Sequence, residues 1–303
     1  MDLNIKVLAP NEQKDDRDFG DCIIINDNGN VTVYDCGSDE LADQVLEYVK
    51  ENNVDKIDIV LSHNDNDHFD GIPKLVDSGI VNSITTLLLL KYKDEIFDKI
   101  PDGRVTKDSM IEHIKEMYSN IYSLSGNNLL NALDNNNISS NVKVVGPSTD
   151  YFIEAVAKQF TPTESDNINN STIMNAISVQ LEVSFNDKKL LLTGDADVAA
   201  FNDKVLEYDA VQLPHHGNPD MAEKIFDINN KRNSVLYIIS DNKGKNINGG
   251  SDKLNQKGHY IKNTKSGSFE INESSFMIET KGSLNSNEIC YIKKQSWYRR
   301  NML

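Results

Sequence analysis

His63-Asn64-Asp65-Asn66-Asp67-His68 places four candidate metal ligands in six residues, directly after the apolar run Ile57–Leu61. A second pair, His215-His216, follows the apolar run Ala210–Leu213. Four of the six histidines therefore fall in two short loops, each at the end of a predicted strand. Strand-end loops suit site building because a rigid sheet edge fixes side-chain positions. In a tight loop, His63 and Asp65 can face one ion while Asp67 and His68 face another. A separation of about 3.5–4 Å lets paired ions clamp both oxygens of a displacement. An exposed polar loop with incidental histidines would explain neither this spacing nor the second cluster.

Working outward, Cys22–Ile25 and Val31–Tyr34 read as a hairpin around the turn-forming Asn26-Asp27-Asn28-Gly29-Asn30. A helix follows, with apolar residues at Leu41, Val45, Leu46 and Val49. Ile57–Leu61 is predicted as a strand, Ile72–Val76 as a helix and Ile84–Leu90 as a buried strand. From Lys91 to about Asn141 the pattern predicts one helix, carrying Met110, Ile114, Met117 and Ile121, in an insertion or lid without a core of its own. Beyond it come a strand at Val142–Val145, a helix at Tyr151–Gln159 and a hairpin of Ile177–Phe185 with Lys189–Leu192. Val198–Leu206 is predicted helical, Ala210–Leu213 a strand, Met221–Phe226 a helix and Val235–Ile239 a strand. Two halves, each a hairpin followed by alternating helix and strand, predict an αββα sandwich: two mixed sheets face to face, helices on the outer faces. Residues 1–303 are read as one such domain, with the insertion at about 91–141.

The bulk composition fits this reading. The chain has 303 residues, 38% hydrophobic and 26% charged, as in soluble globular proteins. A net charge of −16 argues against a broad nucleic-acid-binding or membrane-binding surface, because both need excess lysine and arginine, but leaves room for nucleic acid at a metal-loaded cleft. Cys22, Cys36 and Cys290 lack CxxC spacing, which argues against a disulfide framework or a cysteine zinc site. The first residues lack a signal-peptide layout, and no apolar run approaches a membrane span. The expected location is cytoplasmic.

The chain resembles the metallo-β-lactamase superfamily in an ordered set of motifs: Asp35-Cys36-Gly37, His63 to His68, Leu192-Thr193-Gly194-Asp195 and Pro214-His215-His216-Gly217. Within that superfamily it is similar to the soluble hydrolase domain of ComEC-type DNA-uptake proteins and their stand-alone relatives. Gly20-Asp21 before the first hairpin strand and the Asn175-Ala176-Ile177-Ser178 stretch carry this likeness. It implies that His63 and Asp65 hold a first ion, that Asp67, His68 and His216 hold a second, and that Asp195 bridges them. His215 then stands by the scissile group, as a phosphate contact or proton donor. Asp67 or Asp195 orients the attacking water. Asp35, Asn175, Ser178 and Gly194 support the ligands. One departure is that ComEC-like domains carry Gly-His-Pro after the late strand, where this chain has Ser240-Asp241-Asn242. Ser240, Lys243 and Lys245 are the candidates for contacting substrate in its place.

The resemblance implies two divalent ions, Mn²⁺ or Zn²⁺, with Mg²⁺ also compatible. Asp65 stands where most of the superfamily has histidine, and Asn175 lies near another histidine position. Harder oxygen donors favour Mn²⁺ or Mg²⁺ over Zn²⁺ and leave the first site weak. The expected activity is hydrolysis by a metal-activated water, on a phosphodiester in single-stranded nucleic acid or a small nucleotide. Two alternatives stand beside it: an acyl hydrolase acting on an ester, thioester or lactam, and a catalytically weak sensor or interaction subunit with a protein partner.

Overall fold

The computed structural model describes residues 3–10, 20–160, 167–168, 171–232, 234–240 and 251–276. Its first sheet is built from β1 (Leu3–Val7), β2 (Cys22–Asp27), β3 (Asn30–Cys36), β4 (Ile57–Val60), β5 (Val81–Thr86) and β6 (Leu129–Asn131). The second half adds β7 (Val142–Gly146), the short pair β8 (Asn167–Ile168) and β9 (Ser171–Thr172), β10 (Gln180–Phe185), β11 (Lys188–Leu192) and β12 (Ala210–Gln212). It ends with β13 (Leu236–Ile239), β14 (Tyr260–Asn263) and β15 (Phe269–Ile271). Among the described residues, the first sheet has seven strands in the order β15-β1-β2-β3-β4-β5-β6, the second six in the order β14-β13-β12-β11-β10-β7. Each sheet has an antiparallel hairpin, β2-β3 or β10-β11, followed by parallel strands, β4 to β6 or β12 to β14.

Burial explains the sequence pattern. β2 and β3 are covered on both faces, so Ile23, Ile24 and Ile25 can all be apolar and fully buried. β11 alternates instead. Leu190 and Leu192 join the main core shared by the two sheets, whereas Leu191 joins Val211, Tyr237 and Ile239 beneath Met221, Ile225 and Phe226 of the outer helix Pro219–Ile228. On the first half, helix Asp39–Glu51 starts where the Ser38 hydroxyl accepts from the Leu41 amide. It buries Leu41, Val45 and Val49, each contributing about 1.5–3 kcal/mol. No helix among the described residues is long and apolar enough to cross a membrane.

Several expectations need correction. The strand predicted at 84–90 runs Val81–Thr86 and stops there, because the Asn131 side chain accepts the Leu88 amide and Leu89–Tyr92 coils into a 3₁₀ turn. Val198–Leu206 is not a helix but two 3₁₀ turns, Val198–Ala200 and Val205–Glu207. Val198, Phe201 and Val205 are buried at helix-like spacing without a continuous helix beneath them. Residues 91–141 hold three helices, not one: Lys93–Lys99, Lys107–Met117 and Ser119–Ser123. Ile96, Met110, Ile114 and Ile121 sink into the main core, and β6 extends the first sheet. Strands β1, β14 and β15 were not anticipated. Lys243, Lys245 and Cys290 lie outside the described residues.

At the far end of β2, Asp27 joins this hairpin to the approach of β7. Its carboxylate accepts from the Ser139 hydroxyl (2.7 Å), the Asn141 amide (2.9 Å), Asn141 Nδ2 (2.7 Å) and Asn28 Nδ2 (2.8 Å). Burial pushes the Asp27 pKa up, but the hydrogen bonds from Ser139, Asn141 and Asn28 outweigh it and hold the value low. A depressed pKa adds stability above the unfolded value of about 3.9, lost as pH falls through the folded value. Asp27→Ala is therefore expected to cost about 2 kcal/mol in urea unfolding at pH 7. The gap to wild type should hold down to about pH 4 and narrow below it. An equal gap at pH 7 and pH 2.5 would contradict this.

Candidate metal centre

The site lies past the carboxyl ends of β3, β4, β11 and β12, the end of parallel strands where α/β sheets gather functional loops. Ser62 is the pivot of the first loop. Its amide donates to Asp35 Oδ1 (2.7 Å), its carbonyl accepts from the Val179 amide (2.9 Å), and its hydroxyl lies 2.9 Å from His63 Nδ1. Ser178 sits in the turn before β10, not within a strand. Its hydroxyl donates to the Asn175 carbonyl (2.7 Å) and lies 3.2 Å from His63 Nδ1. With its proton so engaged, Ser178 accepts from Nδ1–H of His63, which leaves Nε2 as the unprotonated nitrogen.

The same device recurs at two more rings. His68 Nδ1 lies 2.8 Å from Asp35 Oδ2, and His216 Nδ1 lies 3.3 Å from Asp21 Oδ1. Asp21 is itself fixed, because Gln212 Nε2 (2.9 Å) and the Ser240 hydroxyl (2.7 Å) both donate to its Oδ2. All three rings thus turn Nε2 toward one shared space. There, His63 Nε2 is 3.6 Å from Asp65 Oδ2, and His68 Nε2 is 3.4 Å from Asp195 Oδ1. His216 Nε2 is 3.1 Å from Asp67 Oδ2 and 3.5 Å from Asp195 Oδ2. Two donors that share an ion, each about 2.1 Å from it, stand about 3–3.5 Å apart. Among the described residues, His63 Nε2, His68 Nε2 and Asp195 Oδ1 are buried with no hydrogen-bond partner, an arrangement that is costly unless another group fills the space. The donor set fits divalent metal.

Charge points the same way. Burial pushes the His68 and His216 pKa values down, but the carboxylates overcome it, Asp195 and Asp35 at His68 and Asp195, Asp21 and Asp67 at His216, and raise both well above the ordinary value. Burial likewise pushes Asp67 and Asp195 up, yet the neighbouring imidazoles hold both low. These carboxylates demand positive charge, and cations at Nε2 would meet that demand without protonated rings.

A sequence model described as the metallo-β-lactamase superfamily matches residues 15–105. Comparison with curated protein sequences finds no match. Among solved structures, the chain is similar to Tm1679, a metal-dependent hydrolase of the β-lactamase superfamily, at 12% identity and a TM-score of 0.51, covering 89% of this chain and 100% of that one. YhfI from Bacillus subtilis, a metallo-β-lactamase fold protein, aligns at 11% identity over 89% of this chain and all of its own, with a TM-score of 0.45. The short form of human tRNase Z aligns at 13% identity over 78% of this chain and 92% of its own, with a TM-score of 0.39. This chain has the metallo-β-lactamase fold.

Within this metallo-β-lactamase fold, most of the anticipated residues meet. His63, Asp65, Asp67, His68, Asp195 and His216 converge, and Asp35 and Ser178 stand behind His68 and His63. His216 is the inner member of its pair. His215 has a 27% exposed side chain, its Nε2 3.9 Å from Asp195 Oδ2, and burial lowers its pKa against the pull of Asp195. Asn175 turns its amide nitrogen to Asp195 Oδ2 (3.4 Å) and its carbonyl to the Thr172 hydroxyl, so that oxygen is already engaged. Ser240, anticipated as a substrate contact, is fully buried and braces Asp21. His259 stacks on Phe226 and His113 edges against Phe160, both packing roles.

Asp21, Ser62 and Gln212 went unassigned from sequence. Gln212 gave a signal, a polar residue inside the apolar run 210–213 that proves fully buried. Asp21 lies within 4.8 Å of ligand atoms on His68, Asp195 and His216. It faces the Nδ1 side of His216, however, so it orients that ring and cannot share the ion on the Nε2 side.

Glycines make the convergence sterically feasible. The Asp21 amide donates to the Asp67 carbonyl (2.8 Å), and a Cβ on Gly37 would sit 1.9 Å from that same oxygen. At Gly194 (φ +52°) a Cβ would meet the Ser62 side chain at 2.8 Å. Gly37→Ala is expected to lose roughly 2–3 kcal/mol in denaturant titration. Gly103→Ala, where a Cβ meets nothing within 4 Å, should be close to neutral. Equal effects from the two would refute the close-approach account.

Proposed function

We propose that this protein is a metal-dependent hydrolase that binds two divalent ions and cleaves a phosphodiester in single-stranded nucleic acid or a small nucleotide. The observation that carries it is the meeting of imidazole and carboxylate donors from two distant loops, with buried atoms left for a metal to satisfy. In this reading His63 and Asp65 hold the first ion, Asp67, His68 and His216 the second, and Asp195 reaches both. When bound, the ions supply Lewis acidity and a water nucleophile acidic enough to react near neutral pH.

The protein's own residues do the rest. Asp67 or Asp195 sets the direction of the attacking water. His215, at the mouth of the site, contacts a phosphoryl oxygen or donates a proton there. Asp35 keeps the proton on His68 Nδ1, so that Nε2 keeps its lone pair for metal. The ComEC-like motif order supports phosphoryl chemistry, and a net charge of −16 favours a small or single-stranded substrate over long duplex DNA.

Protein purified without added metal should carry near-stoichiometric metal by elemental analysis, and a His68→Ala/Asp195→Ala double variant should lose it. Hydrolysis of bis-p-nitrophenyl phosphate should exceed that of an acyl chromogenic substrate and be greater with Mn²⁺ than with Zn²⁺. Turnover of the acyl substrate alone would move the reading to acyl hydrolysis. Inactivity with every metal would favour a sensor or interaction role. Asp35→Asn, which disturbs the brace and spares the ligands, should weaken metal binding about 10–100-fold. Unchanged affinity in a folded Asp35→Asn protein would remove Asp35 from the account.

A further inference from the structure

Asp65 is the most exposed carboxylate donor of the site and, like Asp67, meets only a fellow donor rather than a brace. His63, His68 and His216 are braced behind the ring, and Asp195 receives Asn175 Nδ2. The Asp65 carboxylate, 42% exposed, hydrogen-bonds to no protein group among the described residues and lies 3.6 Å from His63 Nε2. It stands at the cap position of helix Asn66–Phe69 yet makes no side-chain capping bond. Its position depends on its backbone, and the preceding residue is gripped from outside the loop. Asn64 Nδ2 donates to the Met117 carbonyl (2.7 Å) and to Asn120 Oδ1 (3.0 Å), while Asn120 Nδ2 donates back to the Asn64 carbonyl (3.0 Å). Asn120 Oδ1 also accepts from the Ile121 amide (2.9 Å), which fixes its rotamer. Behind this clamp, Tyr118 and Ile121 are buried in the main core.

We infer that the Asn64–Asn120 amide clamp positions Asp65, and through it the affinity of the first metal site, so that the segment around 117–121 is a built-in part of that site. The inference rests on the two-ion reading above. Asn64 and Asn120 touch no ion and are positioning residues. A clamp that donates and accepts at both ends fixes rotation as well as distance, which one hydrogen bond would not do. It is the backbone counterpart of the Asp35, Asp21 and Ser178 braces, applied to a donor whose side chain has none. His68, His216 and Asp195 have supports separate from the clamp, so loosening it affects the two sites unequally.

The test is Mn²⁺ titration calorimetry on the metal-stripped full chain. Wild type is expected to show two binding events. In Asn120→Ala the weaker event should lose about 10-fold or more in affinity, the stronger should stay within about twofold, and Asn64→Ala should reproduce the pattern. Thr106→Ala is the control for general loosening. It removes the capping box of helix Lys107–Met117 without touching the clamp, and should leave both events unchanged. Equal weakening of both events in Asn120→Ala, no weakening in either, or the same shift in Thr106→Ala would overturn the clamp. A wild-type protein that takes up fewer than two ions would overturn the two-ion reading, and the clamp with it. Wild type thus tests the reading, and the variants test the clamp.

Discussion

The centre depends on one repeated constraint: an imidazole held at Nδ1 has a single way to face. Asp35 at His68, Asp21 at His216 and the Ser62–Ser178 pair at His63 each fix ring orientation and proton position in one contact. The supports belong to the β3 end, the start of β2 and the turn before β10, so the site's geometry inherits the rigidity of both sheets. Tyr34 strengthens the link, donating from its hydroxyl to the Val179 carbonyl (2.6 Å), one residue from Ser178. These imidazoles cannot be moved singly, since each brace is also a joint between elements.

That rigidity is obtained against local strain. Asp35 (φ 59°), His215 (φ 52°) and His216 (φ 55°) all occupy the left-handed region that side chains with a Cβ disfavour. Such residues cost of order 1–3 kcal/mol each and persist where the surroundings over-determine them. At Asp35 the surroundings are the Ser62 amide and His68; at His216 they are Asp21 and Asp67. Consecutive left-handed residues at 215 and 216 send the two rings different ways. One goes into the protein beside Asp67, the other to the mouth of the site.

Much of this was legible in the sequence, because it is local. Asp65, Asp67 and the histidines announce themselves by spacing, and the hairpins by alternation and turn residues. Some supports were less visible, because they are made across long sequence separations: Gln212 and Ser240 reach Asp21 only after both sheets form. A serine after a strand looks the same whether it faces substrate or holds a carboxylate. Strand β1 did carry a signal, with Leu3, Ile5 and Val7 alternating with Asn4 and Lys6, but it is short and its partners lie elsewhere. The Leu87–Leu90 run misled because four consecutive leucines have no period. Asn64 sits in a polar loop and Asn120 on a predicted helix, and only their mutual distance sets them apart.

The return of the chain to β15 has a consequence for how the molecule behaves among its neighbours. β15 pairs Ile271 with Ile5 and Phe269 with Val7, which turns β1 from a margin into an interior strand. Its own outer rim is three residues long and is followed directly by Asn272 and the turn Glu273–Phe276. Short borders of this kind offer little template for another chain to extend. The last strand thus acts as a hem, sealing a five-residue strand margin that would otherwise invite sheet-to-sheet association at high concentration.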